Sequence, residues 1–163
     1  MLKRFNKSIV ILILALSMCQ YALAKEELLP ELSLSKNDRV LILAPHPDDE
    51  VLGTGGVIQR AVKMKLPLKL VYFTNGDSNQ WSFLLYRKHP VIMPGAVKTM
   101  GMVRMQEAIK ATSILGVDPS QLIFLGYPDF GTLNIWYQHW NDRPAYKAIL
   151  TQARAVPYPL AYR

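Results

Sequence analysis

Residues 39–56 have the sequence RVLILAPHPDDEVLGTGG, and this stretch decides the fold. Its first six residues are apolar after an initial arginine and rich in branched side chains, which predicts a buried strand. The turn that follows places the imidazole of His46 beside the carboxylates of Asp48 and Asp49. The small residues behind the turn open a predicted helix over residues 50–65. A strand, an acidic turn and a helix in this order are typical of open α/β sheets, whose sites lie at the carboxyl ends of the strands.

The rest of the chain continues this alternation of strand and helix. Hydrophobic periodicity and turn residues predict strands over residues 39–44, 68–74 and 121–126, and helices over residues 50–65 and 99–116. A strand, a helix and a strand in succession predict a parallel, right-handed crossover. The sequence therefore predicts an α/β, Rossmann-like fold with a mainly parallel sheet and helices on both faces.

The acidic turn has the residue types of a hydrolytic metal site. Imidazole nitrogen and carboxylate oxygen are both ordinary zinc ligands. A further carboxylate that is not bound to the metal can serve as the general base. Two alternatives remain open for the same residues. The two aspartates can cap the following helix, or they can hold Mg²⁺ for phosphoryl transfer, although His46 argues against Mg²⁺ because that ion prefers oxygen ligands.

The turn also resembles the His-Pro-Asp-Asp-Glu signature of the LmbE-like, or PIG-L, zinc de-N-acetylases. The resemblance implies that His46 and Asp49 bind Zn²⁺, or another divalent metal, and that Asp48 is the catalytic base. It implies an LmbE-like fold for the domain. It also implies that the substrate is a small N-acetylated sugar conjugate, namely a glycoside or glycolipid of the N-acetylglucosamine type.

Two further residues match the pattern of the same family. Arg104 begins the run RMQEA, which resembles the family's Arg-x-x-Glu-Ala helix, and the resemblance implies that its side chain holds substrate or fixes the catalytic carboxylates. The alternative is a surface ion pair. Asp129 ends the run LGYPD, which resembles Leu-Gly-x-x-Asp and implies a place at the substrate mouth. The alternative is an ordinary turn aspartate.

The third zinc ligand of the family has no match in this chain. Family members carry it in a downstream Asp-x-His-x-Asp-His stretch, which residues 133–163 lack. His89 and His139 are the other histidines, and each is a weak candidate for the ligand. We therefore expect the N-terminal part of a longer deacetylase, with its C-terminal part missing and little or no activity alone. The alternative is a non-catalytic carbohydrate-binding or interaction protein with the same fold.

Aromatic residues in two segments suggest contacts with a sugar. Residues 76–98 have no clean periodicity and carry Trp81, Phe83 and Tyr86, which can stack on a sugar ring or pack on the protein itself. Further along the chain, three side chains can line a pocket or merely pack; these are Tyr137, His139 and Trp140.

The first 24 residues have the features of a signal peptide: a basic start, an apolar run over residues 9–18 and an Ala-x-Ala site that ends at Ala24. We expect cleavage there, a lead-in arm over residues 25–37, a deacetylase domain over residues 38–163, and a protein exported to the periplasm or the extracellular space. An uncleaved anchor and a lipid on Cys19 are the alternatives.

The net charge of the chain limits the classes of binding partner that we expect. Cleavage removes three lysine or arginine residues and no acid, so the net charge falls from +7 to +4. No stretch combines clustered basic residues with stacking aromatics, so nucleic acid is not an expected partner. The remaining positive charge weakly favours anionic cell-envelope surfaces, such as a membrane surface, or anionic substrates.

Overall fold

The structure is a computed structural model that describes residues 31–79, 84–85, 93–141 and 144–162. The chain divides between residues 33 and 34, and the fold below is that of the second unit, residues 34–163. The expected signal peptide and the aromatic side chains of the 76–98 loop lie outside the described residues, as does His89. Within the described residues, no helix is long and apolar enough to cross a membrane.

The second unit alternates between strands and helices. In chain order its elements are β1 (Val40–Ala44), α1 (Asp49–Lys63), β2 (Leu68–Thr74), α2 (Pro94–Ile114), a 3-10 turn (Pro119–Gln121), β3 (Leu122–Tyr127) and α3 (Thr132–Gln138). The three strands form one parallel sheet in the order β1-β2-β3. The predicted α/β class, the parallel sheet and the three strands are thereby confirmed, with strand boundaries that differ by at most one residue.

One face of the sheet carries the core. Apolar side chains of the three strands, of α1 and α2, and of the C-terminal segment form a single buried cluster that includes Ile42, Ile58, Leu70, Met105, Phe124 and Tyr158. Tyr72 and Phe124 stack across neighbouring strands, with ring centroids 4.5 Å apart and an interplanar angle of 8°. Both crossover helices thus pack against the same face, whereas the sequence analysis predicted helices on both faces; two successive right-handed crossovers in the order β1-β2-β3 place their helices on one side. On the opposite face, Leu41 and Leu43 of β1 are exposed.

Helix α2 begins five residues earlier than the sequence analysis predicted. Pro94 occupies its first turn, where a missing N–H costs nothing because the first amides of a helix have no partner within the helix. Thr99, which was the predicted cap, lies inside the helix, and its hydroxyl donates to the Gly95 carbonyl over 3.0 Å. The predicted stop at Gly116 is close to the observed end, since Gly116 follows the helix with a φ of +84°.

The C-terminal segment completes the unit on the β3 side. Tyr162 donates its N–H to the Phe124 carbonyl over 2.8 Å. Tyr158 is buried and lies so close to Gly101 of α2 that a Cβ atom at Gly101 would come within 2.5 Å of the phenol oxygen. The sequence analysis assigned no structure to this segment. It lacks helical or strand periodicity, and its packing depends on single side chains.

Candidate active site at the carboxyl edge of the sheet

The loops that follow the three strands meet at one edge of the sheet. Thr74, at the end of β2, donates its N–H and its hydroxyl to the Pro45 carbonyl over 3.1 and 3.2 Å. The Ser78 N–H donates to Asp129 Oδ2 over 2.9 Å, which joins the loop after β2 to the loop after β3. These bonds bring the residues after β1, β2 and β3 into one site, as the carboxyl ends of parallel strands require.

His46 and Asp49 form a close pair on the first of these loops. The Asp49 carboxylate accepts the His46 backbone N–H over 2.9 Å and lies 3.2 Å from His46 Nδ1. Both side chains remain accessible, with 48% and 41% of their surface exposed. The Asp49 carboxylate is therefore not used as a helix cap, and a nitrogen and an oxygen donor stand side by side.

Asp48 turns away from this pair towards Arg104. Its backbone φ is +124°, which residues other than glycine rarely adopt and which stores about 1–3 kcal/mol of strain. Its N–H donates to the buried Glu50 carboxylate over 2.9 Å. Its side chain makes no capping bond to helix α1, and one of its oxygens accepts from Arg104 Nη2 over 2.8 Å. Backbone strain of this kind is characteristic of functional sites, where surrounding contacts hold an otherwise unfavourable conformation.

Arg104 is the buried residue that holds this turn. Its guanidinium donates to the Pro47 and Gly76 carbonyls as well as to Asp48, and only 9% of the side chain is exposed. Gly76 has a φ of +62°, and a Cβ atom there would lie 1.8 Å from Arg104 Nη1. All these bonds are made to protein oxygens. The geometry is that of a residue that positions Asp48; contact with substrate stays a prediction.

A cleft of about 360 Å³ opens beside Asp48. Pro47, Glu50, Arg104 and Glu107 contribute polar and backbone groups to its walls, together with apolar side chains of α1 and α2. The Asp48 carboxylate is 53% exposed, so it remains accessible to water in spite of its ion pair with Arg104. A half-exposed carboxylate next to a cleft is a suitable acceptor for a proton.

Asp129 approaches the site from the loop after β3. Its Oδ1 lies 3.9 Å from His46 Nε2, and its side chain is only 7% exposed. While Oδ2 accepts the Ser78 N–H, Oδ1 is buried and accepts no hydrogen bond from the described residues. The structure therefore brings Asp129 to the opposite side of the His46 ring from Asp49. A buried oxygen without a donor is suited to a hydroxyl, ammonium or metal group of a ligand.

Two residues at this edge have roles that the sequence analysis missed. Asp77 and Tyr158 are both buried, and the Tyr158 hydroxyl donates to the Asp77 carboxylate. Burial raises the pKa of Asp77, the Tyr158 bond opposes that change, and the nearby Asp129 carboxylate adds to it. Burial and the Asp77 carboxylate likewise raise the pKa of Tyr158. The Asn75-Gly76-Asp77 turn at the end of a strand was the available signal for Asp77.

Because the pKa of Asp77 is raised in the folded protein, we expect the free energy of unfolding to fall on going from acid to neutral pH. A carboxyl whose pKa is higher in the folded state stabilises that state fully below its unfolded pKa of about 3.9, and this stabilisation is lost as the pH rises through the folded value. Asp77→Asn should therefore gain stability relative to the wild type between about pH 4 and the folded pKa. Urea midpoints across this range measure the difference.

Asp118 supplies the matched control for this measurement. Its carboxylate is exposed, and hydrogen bonds from Ser120 lower its pKa. Asp118→Asn should therefore show no gain with rising pH and at most a small loss. A difference between wild type and Asp77→Asn that is independent of pH would contradict the assignment.

Two of the described side chains at this edge have the donor types of a zinc site. His46 and Asp49 have the donor types that zinc takes, and they are already adjacent. Across residues 31–79, 84–85, 93–141 and 144–162, no group of three or more His, Cys, Asp or Glu side chains is arranged to hold a metal ion. His139 does not belong to such a group, and its Nδ1–H donates to the Pro144 carbonyl over 2.6 Å. The donor types of the pair fit a metal, and metal binding by His46 and Asp49 stays a prediction.

With this geometry established, the chain can be compared with known proteins. A family model described as "PIG-L: GlcNAc-PI de-N-acetylase" matches residues 41–157. The chain belongs to the PIG-L family. The match covers β2, β3, all of β1 except its first residue, and the edge that bears the site, and it confirms the resemblance predicted from the acidic turn.

Two curated relatives are each called 1D-myo-inositol 2-acetamido-2-deoxy-alpha-D-glucopyranoside deacetylase, from Mycobacterium sp. strains KMS and JLS. Each is 30% identical over 104 residues, which is 64% of this chain and 29% of the relative. A solved structure, the N,N'-diacetylchitobiose deacetylase from Pyrococcus horikoshii, matches with a TM-score of 0.44 and 25% identity, covering 68% of this chain and 38% of that one. The chain thus spans less than a third of the length of the curated relatives.

Proposed function

We propose that the chain is a metal-dependent hydrolase that removes the acetyl group from a glycoside or glycolipid of the N-acetylglucosamine type. The observation that carries the proposal is the separation of roles at the turn. His46 and Asp49 form a donor pair, while Asp48 is held apart from them by Arg104 and stays accessible. Membership of a de-N-acetylase family supports the same reaction.

The roles follow from these contacts. His46 and Asp49 would hold zinc, which when bound would supply a Lewis acid for the acetyl carbonyl. Asp48 accepts a proton from the attacking water as the water oxygen bonds to the acetyl carbon. When the C–N bond breaks, Asp48 returns this proton to the leaving nitrogen. The products are acetate and a free amino sugar, so one water is consumed for each amide bond that is cleaved.

Arg104 and Asp129 support this chemistry in different ways. Arg104 holds Asp48 in its strained conformation, so its bonds set the direction of the base. Asp129 places a buried oxygen at the edge of the site, where a sugar hydroxyl can donate to it. Since the described residues offer two metal donors and no group of three, we expect the reaction to be slow.

Acetate release tests the proposal. The full chain, loaded with Zn²⁺ and used at stoichiometric concentration, should release acetate from methyl N-acetyl-β-glucosaminide, and acetate should be measured by NMR. His46→Ala removes the nitrogen donor of the pair. Because the ring is about half exposed, its loss should disturb the fold little, and acetate release should fall to the rate without protein. A wild-type rate that equals the His46→Ala rate over days would overturn the proposal.

A further inference from the structure

Helix α3 carries an exposed aromatic stripe next to the candidate site. The residues three, four and seven positions after Leu133 are all large and apolar, so the four side chains share one side of the helix and its C-terminal extension. They are Leu133, Trp136, Tyr137 and Trp140, with 65%, 62%, 70% and 53% of their surface exposed. Trp136 and Trp140 contact each other, with ring centroids 4.9 Å apart. We call these four residues the aromatic stripe.

The opposite side of α3 faces the protein. Ile135 and His139 line a cavity of about 240 Å³ together with Tyr146. The His139 ring packs against the Tyr146 ring at 5.5 Å and is hydrogen-bonded to the Pro144 carbonyl. The orientation of α3 is therefore fixed by its inner side. Its largest apolar side chains point into solvent, which is the reverse of the arrangement expected for a helix on the surface of a globular protein.

The sequence that follows the stripe is basic. Residues 130–141 contain no Asp, Glu, Lys or Arg. Between residues 142 and 163, four basic residues accompany a single acid, Asp142; they are Arg143, Lys147, Arg154 and Arg163. An uncharged apolar side followed by basic residues is complementary to an anionic lipid surface, where apolar groups enter the interface and cations pair with headgroups.

We propose that the aromatic stripe docks the protein on an anionic lipid bilayer. Tryptophan and tyrosine are the residues that concentrate at membrane–water interfaces, because their rings are apolar and carry one polar group. The stripe lies on a convex helix side rather than in a cleft, so it matches a broad surface better than a single sugar ring. Asp129 lies four residues before Leu133, so docking holds the site edge near the lipid surface. The proposal does not depend on the reaction proposed above.

The test uses the native tryptophans as reporters. Trp81 lies outside the described residues, so it is replaced by phenylalanine, and the fluorescence of the full chain then comes from Trp136 and Trp140. Vesicles of phosphatidylglycerol and phosphatidylcholine that contain brominated acyl chains should quench this fluorescence. Quenching should weaken with added salt and with vesicles of phosphatidylcholine alone, because the basic residues then lose their partners.

Matched variants decide whether the stripe is responsible. Leu133→Ser with Tyr137→Ser removes half of the stripe, keeps both reporters and should weaken vesicle binding about tenfold. Ile114→Ser with Leu160→Ser removes two other exposed apolar side chains and should change binding less than twofold. Equal binding by both double variants, or vesicle binding without quenching, would overturn the proposal. So would quenching or a spectral shift caused by soluble chitotetraose with no response to vesicles, which would make the stripe a sugar platform.

Discussion

Asp48→Asn is expected to lower the rate of deacetylation by about 10²- to 10⁴-fold, the usual contribution of a general base. Asparagine has nearly the same shape, and its amide oxygen can still accept the bond from Arg104 that the carboxylate accepts over 2.8 Å. It cannot take a proton from water. Because the wild-type reaction is expected to be slow, the variant should fall to the rate without protein in the acetate assay.

A measurement of zinc binding distinguishes loss of the general base from loss of the metal site. Asp48 is not in the donor pair, so Asp48→Asn should bind as much Zn²⁺ in equilibrium dialysis as the wild type does. Asp49→Asn is the matched control, because the same chemical change one residue along removes a donor and should lower both zinc binding and turnover. Turnover by Asp48→Asn within a few-fold of the wild type would show that another group is the base.

Much of the site could be predicted because it is local in sequence. His46, Asp48 and Asp49 follow a strand whose continuous apolar character identifies it, so their place at the sheet edge follows from the order of elements. The parallel sheet brings the loops after β2 and β3 to the same edge. Asp129 therefore arrives near His46 for a topological reason that the sequence contains.

Other parts depend on contacts between residues far apart in the chain. The hydrogen bond between Asp77 and Tyr158 joins residues 81 positions apart, and the sequence around neither residue predicts it. The direction of the Asp48 side chain is set by Arg104, 56 residues away. Periodicity reports which side of an element is apolar, but it cannot report which buried polar groups will meet.

The exposure of the aromatic stripe is a second feature that the sequence pattern could not predict. The sequence analysis left open whether Tyr137, His139 and Trp140 line a pocket or merely pack. Only His139 turns inward to the 240 Å³ cavity, while the other two are exposed. An apolar side of a helix is normally a buried side, so a sequence pattern does not predict the exposure of Tyr137 and Trp140.

Gly76→Ala is expected to destabilise the protein by about 2.5–5 kcal/mol, the sum of a backbone term and a lost hydrogen bond. An alanine with a φ near +62° costs about 1–2 kcal/mol, because its Cβ crowds the carbonyl oxygen in the left-handed conformation. The new Cβ would also lie 1.8 Å from Arg104 Nη1, so the guanidinium must leave the Gly76 carbonyl. A lost hydrogen bond from a buried charged group adds about 1.5–3 kcal/mol. The midpoint of urea unfolding measures the total.

A double-mutant cycle separates the cost of the left-handed backbone from the cost of the lost Arg104 hydrogen bond. With Arg104→Met in the background, no guanidinium opposes the new methyl, so Gly76→Ala should cost only the backbone term of about 1–2 kcal/mol. Gly95→Ala is the control, since Gly95 lies in α2 and its added Cβ would meet nothing within 4 Å. That variant should be neutral or stabilising by up to about 1 kcal/mol. An equal cost of Gly76→Ala in both backgrounds would show that the added methyl group does not displace the Arg104 guanidinium.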